Sequence, residues 1–175
     1  MAHSVLLTSF TVWQPHQASN SSDDLLAELL KRNLLDDRHQ LLRQLPVDFI
    51  LAPQLVIAEI ERSRPRLVVC CGMAEARSNL TIETNGKHEA ETIATTVDVA
   101  ALVQLLETTT ASHDAGQFVC NHLYYSVLKH LQAQSPEVNC IFAHVPLLSS
   151  QNLSLILQEF YCILKTLQSE QTQYL

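Results

Sequence analysis

The feature that most constrains the fold is an alternation of short apolar runs with longer amphipathic segments. The runs at 4–10 (SVLLTSF), 67–71 (LVVCC) and 138–145 (VNCIFAHV) are mainly apolar. Strands buried on both faces are typical of parallel sheets that helices cover on each side. We therefore expect an α/β fold, a three-layer αβα sandwich around a mostly parallel central sheet.

Periodicity, capping residues and turn residues place the other elements. They predict helices at 25–33, 36–44, 53–65, 97–107, 116–131 and 149–168, further strands at 48–51 and 80–84, and a polar loop at 85–92. Ser22 or Asp23 is the expected cap of the first helix. Ligands of parallel sheets bind at the carboxyl ends of the strands. The residues expected on that rim are Phe10–Trp13, Gly72–Ala76, Glu83 and His144.

Size and charge exclude several classes of protein. A chain of 175 residues is expected to form a single domain, 1–175. Its 18 acidic and 11 basic residues give a formal charge of −7, and no basic run stands out. Neither nucleic acid nor an anionic membrane is therefore an expected partner. The longest apolar runs are too short to cross a bilayer, and the N-terminus lacks the pattern of a signal peptide.

The cysteines predict free thiols. They are odd in number, and none forms a CxxC pair or a Cys/His spacing typical of zinc sites; they are Cys70, Cys71, Cys120, Cys140 and Cys162. Cys70 and Cys71 point to opposite faces if their segment is a strand, which suits packing and not chelation. We expect a reduced, cytoplasmic protein without a bound metal.

One of these cysteines has a distinctive setting. The stretch HDAGQFVCNHLYY at 113–125 is a turn that leads into a helix, with Cys120 near the first helical turn. Free N–H groups and the helix dipole favour a thiolate there. On this local pattern alone, a buried structural cysteine is equally consistent, because free cysteine is among the most buried residue types.

A histidine and a glutamate supply candidate partners for this thiol. His144 closes the strand CIFAHV, and Glu83 ends another predicted strand. Thiol catalysis needs a base within hydrogen-bond reach of the nucleophile and a third group that orients the base. Each residue has a common alternative role, since a lone histidine is often structural and a lone glutamate is usually solvated.

The same segments resemble those of a known family, the pyroglutamyl peptidases, which are cysteine peptidases. HDAGQFVCNHLYYSVLKHL resembles the family's nucleophile segment, and IFAHVP resembles its histidine motif, 24 residues from cysteine to histidine. GMAEARSNLTIE at 72–83 resembles the Gly-x-Ala-Gly-Gly-Arg segment that leads to the catalytic glutamate. LLTSFTVW at 6–13 resembles the N-terminal Thr-Gly-Phe-x-Pro-Phe motif, and LPVDF at 45–49 resembles a strand entry. The resemblance covers nearly the whole chain in the right order.

The resemblance implies a fold of the phosphorylase/hydrolase-like type and an activity. Cys120 would be the nucleophile, His144 the base and then the acid, and Glu83 the group that orients His144. The enzyme would remove N-terminal pyroglutamate (5-oxoproline) from a peptide or amide through a thioester, without a cofactor. The resemblance places Phe10, Trp13, Met73, Phe118 and Val119 around the lactam ring of the substrate. Family members are commonly homo-oligomers, so a homo-oligomer is also implied.

The chain departs from the family pattern in places that leave a second hypothesis open. Glu75 and Ala76 replace the two glycines before Arg77, and the segment between Glu83 and Cys120 is short. No arginine there matches the one that assists the oxyanion in the family. The alternative to an active peptidase is therefore a binding protein of the same fold with weakened or lost catalysis. A nucleotide-binding domain is disfavoured, because the chain has only three glycines and no phosphate-binding glycine loop.

Overall fold

The computed structural model describes residues 5–172, with a six-stranded sheet at the centre. The strands are β1 (Val5–Phe10), β2 (His39–Leu45), β3 (Leu67–Met73), β4 (Thr81–Glu83), β5 (Asn85–His88), β6 (Glu91–Ala94), β7 (Thr110–Ser112) and β8 (Asn139–Val145). The helices are α1 (Ser21–Lys31), α2 (Leu51–Ser63), α3 (Val99–Val103), α4 (Val119–Gln134) and α5 (Leu153–Thr172). The first predicted strand includes Ser4, which lies outside the described residues.

The central sheet is mostly parallel, as predicted. Its order is β2-β1-β3-β8-β4-β7, and β5 and β6 form a separate antiparallel hairpin. β4 pairs antiparallel with β8 and parallel with β7, so β4 and β7 run opposite to the other four strands. The carboxyl ends of β1, β3 and β8 therefore meet at one edge of the sheet.

Two apolar cores, one on each face of the sheet, make the three layers. Alternate residues of each strand enter different cores, since side chains of a strand alternate between its faces. Cys71 packs into the core beneath α1, α3 and α5, whereas Cys70 packs into the core beneath α2 and α4. All five cysteines are free, and the opposite orientation predicted for these two is confirmed.

The predicted helix at 36–44 is wrong, because this segment forms β2. It pairs in parallel with β1, from Val5 opposite His39 to Phe10 opposite Leu45. The neighbouring leucines Leu41 and Leu42 suit either a helix or an edge strand, and pairing with β1 decides between them. The predicted strand at 48–51 is also wrong. It is a turn in which the Asp48 carboxylate accepts hydrogen bonds from the backbone N–H groups at the start of α2.

The predicted polar loop at 85–92 is wrong as well, because β5 and β6 form a hairpin over this stretch. The hairpin packs against α4, where Asn121 donates to the Lys87 carbonyl (2.7 Å) and accepts from the Lys87 N–H (2.8 Å). Gly86 permits this contact, since a Cβ there would stand 2.5 Å from the Tyr125 backbone nitrogen. The hairpin thus occupies the shortened segment after Glu83.

Several predicted boundaries shift. α1 begins four residues before 25, and its cap is Asn20, whose side chain accepts from the Ser22 N–H, so the prediction of Ser22 or Asp23 as cap is wrong. α4 begins at Val119 and not at 116, and α3 is much shorter than 97–107. β7 was not predicted, since a strand of three residues carries too little periodicity to recognise.

Candidate active site

A small cavity lies where the carboxyl ends of β1, β3 and β8 meet the start of α4. Its volume is about 140 Å³, and its lining residues are Phe10, Trp13, Asn20, Val47, Met73, Ala115, Phe118, Val119, Cys120 and His144. Seven of the eight residues predicted for the site are in this set. The eighth, Glu83, lies behind His144. A larger cavity, about 680 Å³, lies at the opposite edge of the sheet beside Arg64 and His130 and contains none of the predicted residues.

Cys120 is the second residue of α4, so its sulfur lies at the helix start. The side chain of Phe118, the residue before the helix, makes no capping hydrogen bond to the first N–H groups of α4. The sulfur packs closely on β3, because a Cβ at Gly72 would stand 2.7 Å from Sγ. Gly72 is therefore the residue type that lets the nucleophile candidate sit against the sheet.

Burial favours the protonated form of the Cys120 thiol in this conformation. Burial raises its pKa to about 12, and the charge of Glu83 acts in the same direction. A hydrogen bond to the thiol from the backbone N–H of Cys120 and the charge of Arg77 act to lower the pKa, but they do not overcome the effect of burial. The stabilising effect expected of the helix start is thus smaller than the cost of desolvating a thiolate. A base is needed to remove the proton.

His144 ends β8 and is oriented by a buried carboxylate. Its Nδ1 lies 2.7 Å from Glu83 Oε1, and the two side chains are 6% and 0% exposed. Since an ionised carboxylate can only accept, Nδ1–H donates and Nε2 carries the free lone pair. Nε2 is therefore the ring atom available as a base. His144 and Cys120 line the same cavity, although within this described region no hydrogen bond joins them. Such contacts often tighten only when substrate binds.

Glu83 stays ionised although it is fully buried. Burial acts to raise its pKa, but the hydrogen bond from His144 and the charge of Arg77 together hold the pKa below its usual value. Arg77 Nη1 donates to Glu83 Oε1 at 2.6 Å. The backbone of Glu83 is also fixed, because the Tyr124 hydroxyl donates to its carbonyl at 3.1 Å.

The aromatic wall of the cavity is held together by ring contacts. The Trp13 and Phe118 rings lie 4.5 Å apart between centroids, and Phe49 meets Phe118 edge-on at 5.7 Å. The Gln17 side-chain carbonyl accepts from the Trp13 N–H at 3.2 Å, and its amide donates to Glu75. Glu75, where the family pattern has glycine, thus connects the loop carrying Trp13 to the loop after β3.

Three lining residues were missed by the sequence reasoning: Asn20, Val47 and Ala115. Asn20 had a detectable signal, since an Asn before SSDD is a strong candidate cap. It is 4% exposed, and its amide donates to the Thr11 carbonyl at 3.0 Å. Val47 and Ala115 are ordinary apolar loop residues, and nothing in their local sequence marks them.

In residues 5–172 no three His, Cys, Asp or Glu side chains are grouped so that they could bind a metal ion. None of the helices in that part of the chain has the length and apolarity required to cross a membrane.

Comparisons with known proteins agree on one family. A family model described as pyroglutamyl peptidase matches residues 93–159. The chain is 31% identical over 173 residues to the pyrrolidone-carboxylate peptidase of Vibrio vulnificus (strain YJ016), covering 84% of this chain and 80% of that protein. It is 30% identical to pyrrolidone-carboxylate peptidase 2 of Photorhabdus laumondii, covering 84% and 78%.

Solved structures confirm the predicted fold class. A mutant pyrrolidone carboxyl peptidase from the hyperthermophile Pyrococcus furiosus matches with a TM-score of 0.79 at 20% identity, covering 95% of this chain and 98% of that one. Pyroglutamyl peptidase I of Bacillus amyloliquefaciens matches with a TM-score of 0.76 at 19% identity, covering 91% and 93%.

Proposed function

This chain belongs to the pyroglutamyl peptidase family, whose members are hydrolases of the cysteine peptidase class, and from that premise we propose that it removes N-terminal pyroglutamate from peptides or amides. The observation that carries the proposal is the placement of Cys120 and His144 in one small cavity, with Glu83 bound to the far side of His144. These are the residue types and the order of contacts that nucleophilic thiol catalysis requires.

The proposed reaction begins with His144. Its Nε2 takes the Sγ proton as Sγ bonds to the pyroglutamyl carbonyl carbon, and the π electrons move to the oxygen. When the tetrahedral intermediate collapses, the C–N bond breaks and His144 gives its proton to the leaving amine. Water, deprotonated by His144, then attacks the thioester and releases 5-oxoproline and the Cys120 thiol. Because burial raises the pKa of the thiol to about 12, transfer to His144 is coupled to attack.

The start of α4 supplies the proposed oxyanion support. The chain has no arginine matching the family's oxyanion-assisting one, so the donors must come from elsewhere. The first N–H groups of α4 have no side-chain cap, and they lie at the positive end of the helix dipole. Lys87 is a weaker candidate, because its ammonium lies 4.0 Å from the Asp114 carboxylate and its side chain is 43% exposed.

The cavity suits the flat lactam of pyroglutamate. A volume of about 140 Å³ accommodates a five-membered ring and few other atoms. The walls are mainly apolar and aromatic, with Phe10 and Val119 buried. A small apolar slot with few polar groups binds such a ring through dispersion and exclusion of water. The contact between Trp13 and Phe118 leaves no space between their rings, so we place the lactam beside this pair.

The alternative hypothesis, a binding protein of the same fold without efficient catalysis, is not favoured. This hypothesis was suggested by the shortness of the segment between Glu83 and Cys120. The β5–β6 hairpin fills this segment and packs on α4 next to Cys120. The hydrogen bond between Glu83 and His144 is present with the hairpin in this position. A protein without catalysis has no chemical need for this buried ionic arrangement.

The test is hydrolysis of a pyroglutamyl chromogenic amide. We expect the wild-type protein to release the chromophore, and Cys120→Ser to lower kcat/KM by about 10³-fold or more. Cys162→Ser is the matched control, because Cys162 lies on α5 outside the cavity, and it should retain full activity. A prolyl amide, which lacks the lactam carbonyl, should be a much poorer substrate. An inert wild type at high enzyme concentration, or an active Cys120→Ser, would refute the proposal.

A further inference from the structure

The Arg77 guanidinium makes hydrogen bonds in two directions beside the candidate active-site residues. Its Nη1 donates to Glu83 Oε1 at 2.6 Å and also to the Thr81 hydroxyl. Its Nη2 donates to the Asp114 backbone carbonyl at 3.1 Å and to the Ser112 hydroxyl at 3.4 Å. One planar guanidinium can serve both sides because its donors diverge in a fixed fork.

The two ends of this contact belong to different parts of the proposed mechanism. Glu83 stands behind His144, on the side of the base. Asp114 begins the turn that leads to Cys120, on the side of the nucleophile; its carboxylate accepts from the Gly116 N–H at 3.1 Å, where the backbone has a φ of 81°. We propose that Arg77 is a positioning residue that fixes the Glu83 carboxylate and the turn before Cys120 relative to each other.

Arg77 acts through other residues and does not touch the substrate site. It is absent from the residues that line the cavity, and its side chain is 25% exposed. Glu83 is 0% exposed, and a buried carboxylate is destabilised unless it is paired. His144 binds only one of its oxygens, the same Oε1 that Arg77 contacts. The His144 hydrogen bond and the guanidinium together therefore help to keep Glu83 ionised in a buried position.

The charge of Arg77 also reaches the thiol. Glu83 raises the pKa of Cys120, whereas Arg77 lowers it. The Glu83 carboxylate can therefore orient His144 while the positive charge of Arg77 offsets the effect of the Glu83 charge on the Cys120 sulfur. Lys87 and the Asp114 carboxylate, which are also charged, lie 4.0 Å apart, and their side chains are 43% and 77% exposed. They are screened by water and contribute less.

This inference rests on the proposed function for its kinetic test. Arg77→Gln should lower kcat/KM for the pyroglutamyl amide by about 10²-fold, mainly through kcat. Arg77→Lys keeps the charge but cannot make both contacts, so a loss of about 10-fold is expected. Arg62→Gln, which removes an exposed ion pair with Glu59, is the control and should be neutral.

A double-mutant cycle separates positioning from a general structural role. If Arg77 acts through Glu83, Arg77→Gln should cost little further activity in a Glu83→Gln background. Independent, multiplicative losses in the two variants would overturn the proposal. Thermal unfolding of each variant shows whether the fold is retained. If Arg77→Gln does not fold, Arg77→Lys takes its place, and wild-type activity of that variant would overturn the proposal.

A second measurement needs no substrate, so it distinguishes this inference from the proposed function. The rate of Cys120 alkylation by iodoacetamide at pH 9, followed by peptide mass spectrometry, reports the thiolate fraction. Arg77→Gln should slow it severalfold and Glu83→Gln should accelerate it, because the two charges act oppositely on the thiol. A merely loosened site would expose the sulfur, and faster or unchanged alkylation of Arg77→Gln would overturn the proposal. A wild type inert on the amide refutes the proposed function alone.

Discussion

At the scale of single residues, the grouping of the candidate residues could be predicted from the sequence, and several of their connections could not. Cys120, His144 and Glu83 lie in local segments whose types and order indicate thiol catalysis. The protonation of Cys120 was not foreseeable, because it depends on burial that the helix start does not reveal. The bridge from Arg77 to Asp114 was missed as well, since it depends on where two loops meet in space.

The buried Glu83 should make part of the stability pH-dependent. Its folded-state pKa lies below the usual 4.5, so its ionised form contributes stability that is fully present above that value. The contribution is lost as the pH falls through the lower, folded-state pKa. Glu83→Gln should therefore destabilise the protein at pH 7, and the difference from wild type should shrink on acidification below 4.5.

Urea unfolding of the two proteins at several pH values measures this difference. Comparing them cancels the other carboxylates with lowered pKa values, such as Asp23 and Glu59, because both proteins contain them. If the difference in free energy of unfolding stays constant or widens on acidification, Glu83 is not held ionised by its partners.

At the scale of elements, strands buried on both faces were recognised and edge elements were not. β3 and β8 are short, mainly apolar runs whose pattern indicates a buried strand and not a helix or a loop. β2 was mistaken for a helix, because an edge strand with half-buried polar residues has no distinctive period and is defined by its pairing with β1. The β5–β6 hairpin was mistaken for a loop, because its stability comes from α4 and not from its own polar sequence.

The hairpin provides a prediction at this scale. Gly86→Ala should destabilise the protein by about 1–3 kcal/mol, because the new Cβ would stand 2.5–2.6 Å from backbone atoms of Tyr125 that cannot move away. The control is Glu89→Gly in the hairpin turn, where a φ of 52° favours glycine, and stability should be unchanged or slightly higher. Thermal unfolding measures both, and equal midpoints for Gly86→Ala and wild type would contradict the packing described.

At the scale of the whole molecule, the alternation of apolar runs and helices was enough to predict the α/β class and the mostly parallel sheet. The antiparallel placement of β4 and β7 was not predictable, because short strands carry no sign of direction. A single domain over 1–175, a cytoplasmic location and a homo-oligomeric state stay predictions. So does the expectation that neither nucleic acid nor a membrane is a partner.

The central claim is that Cys120 carries the pyroglutamyl group during turnover. The most direct test is to mix the protein with a pyroglutamyl ester or amide, quench in acid within the first turnover and map the modified peptide by mass spectrometry. We predict one pyroglutamyl acyl group, attached as a thioester to Cys120 and absent from Cys120→Ser and Cys120→Ala. Turnover that proceeds without this thioester, or an acyl group attached to another cysteine, would contradict the account.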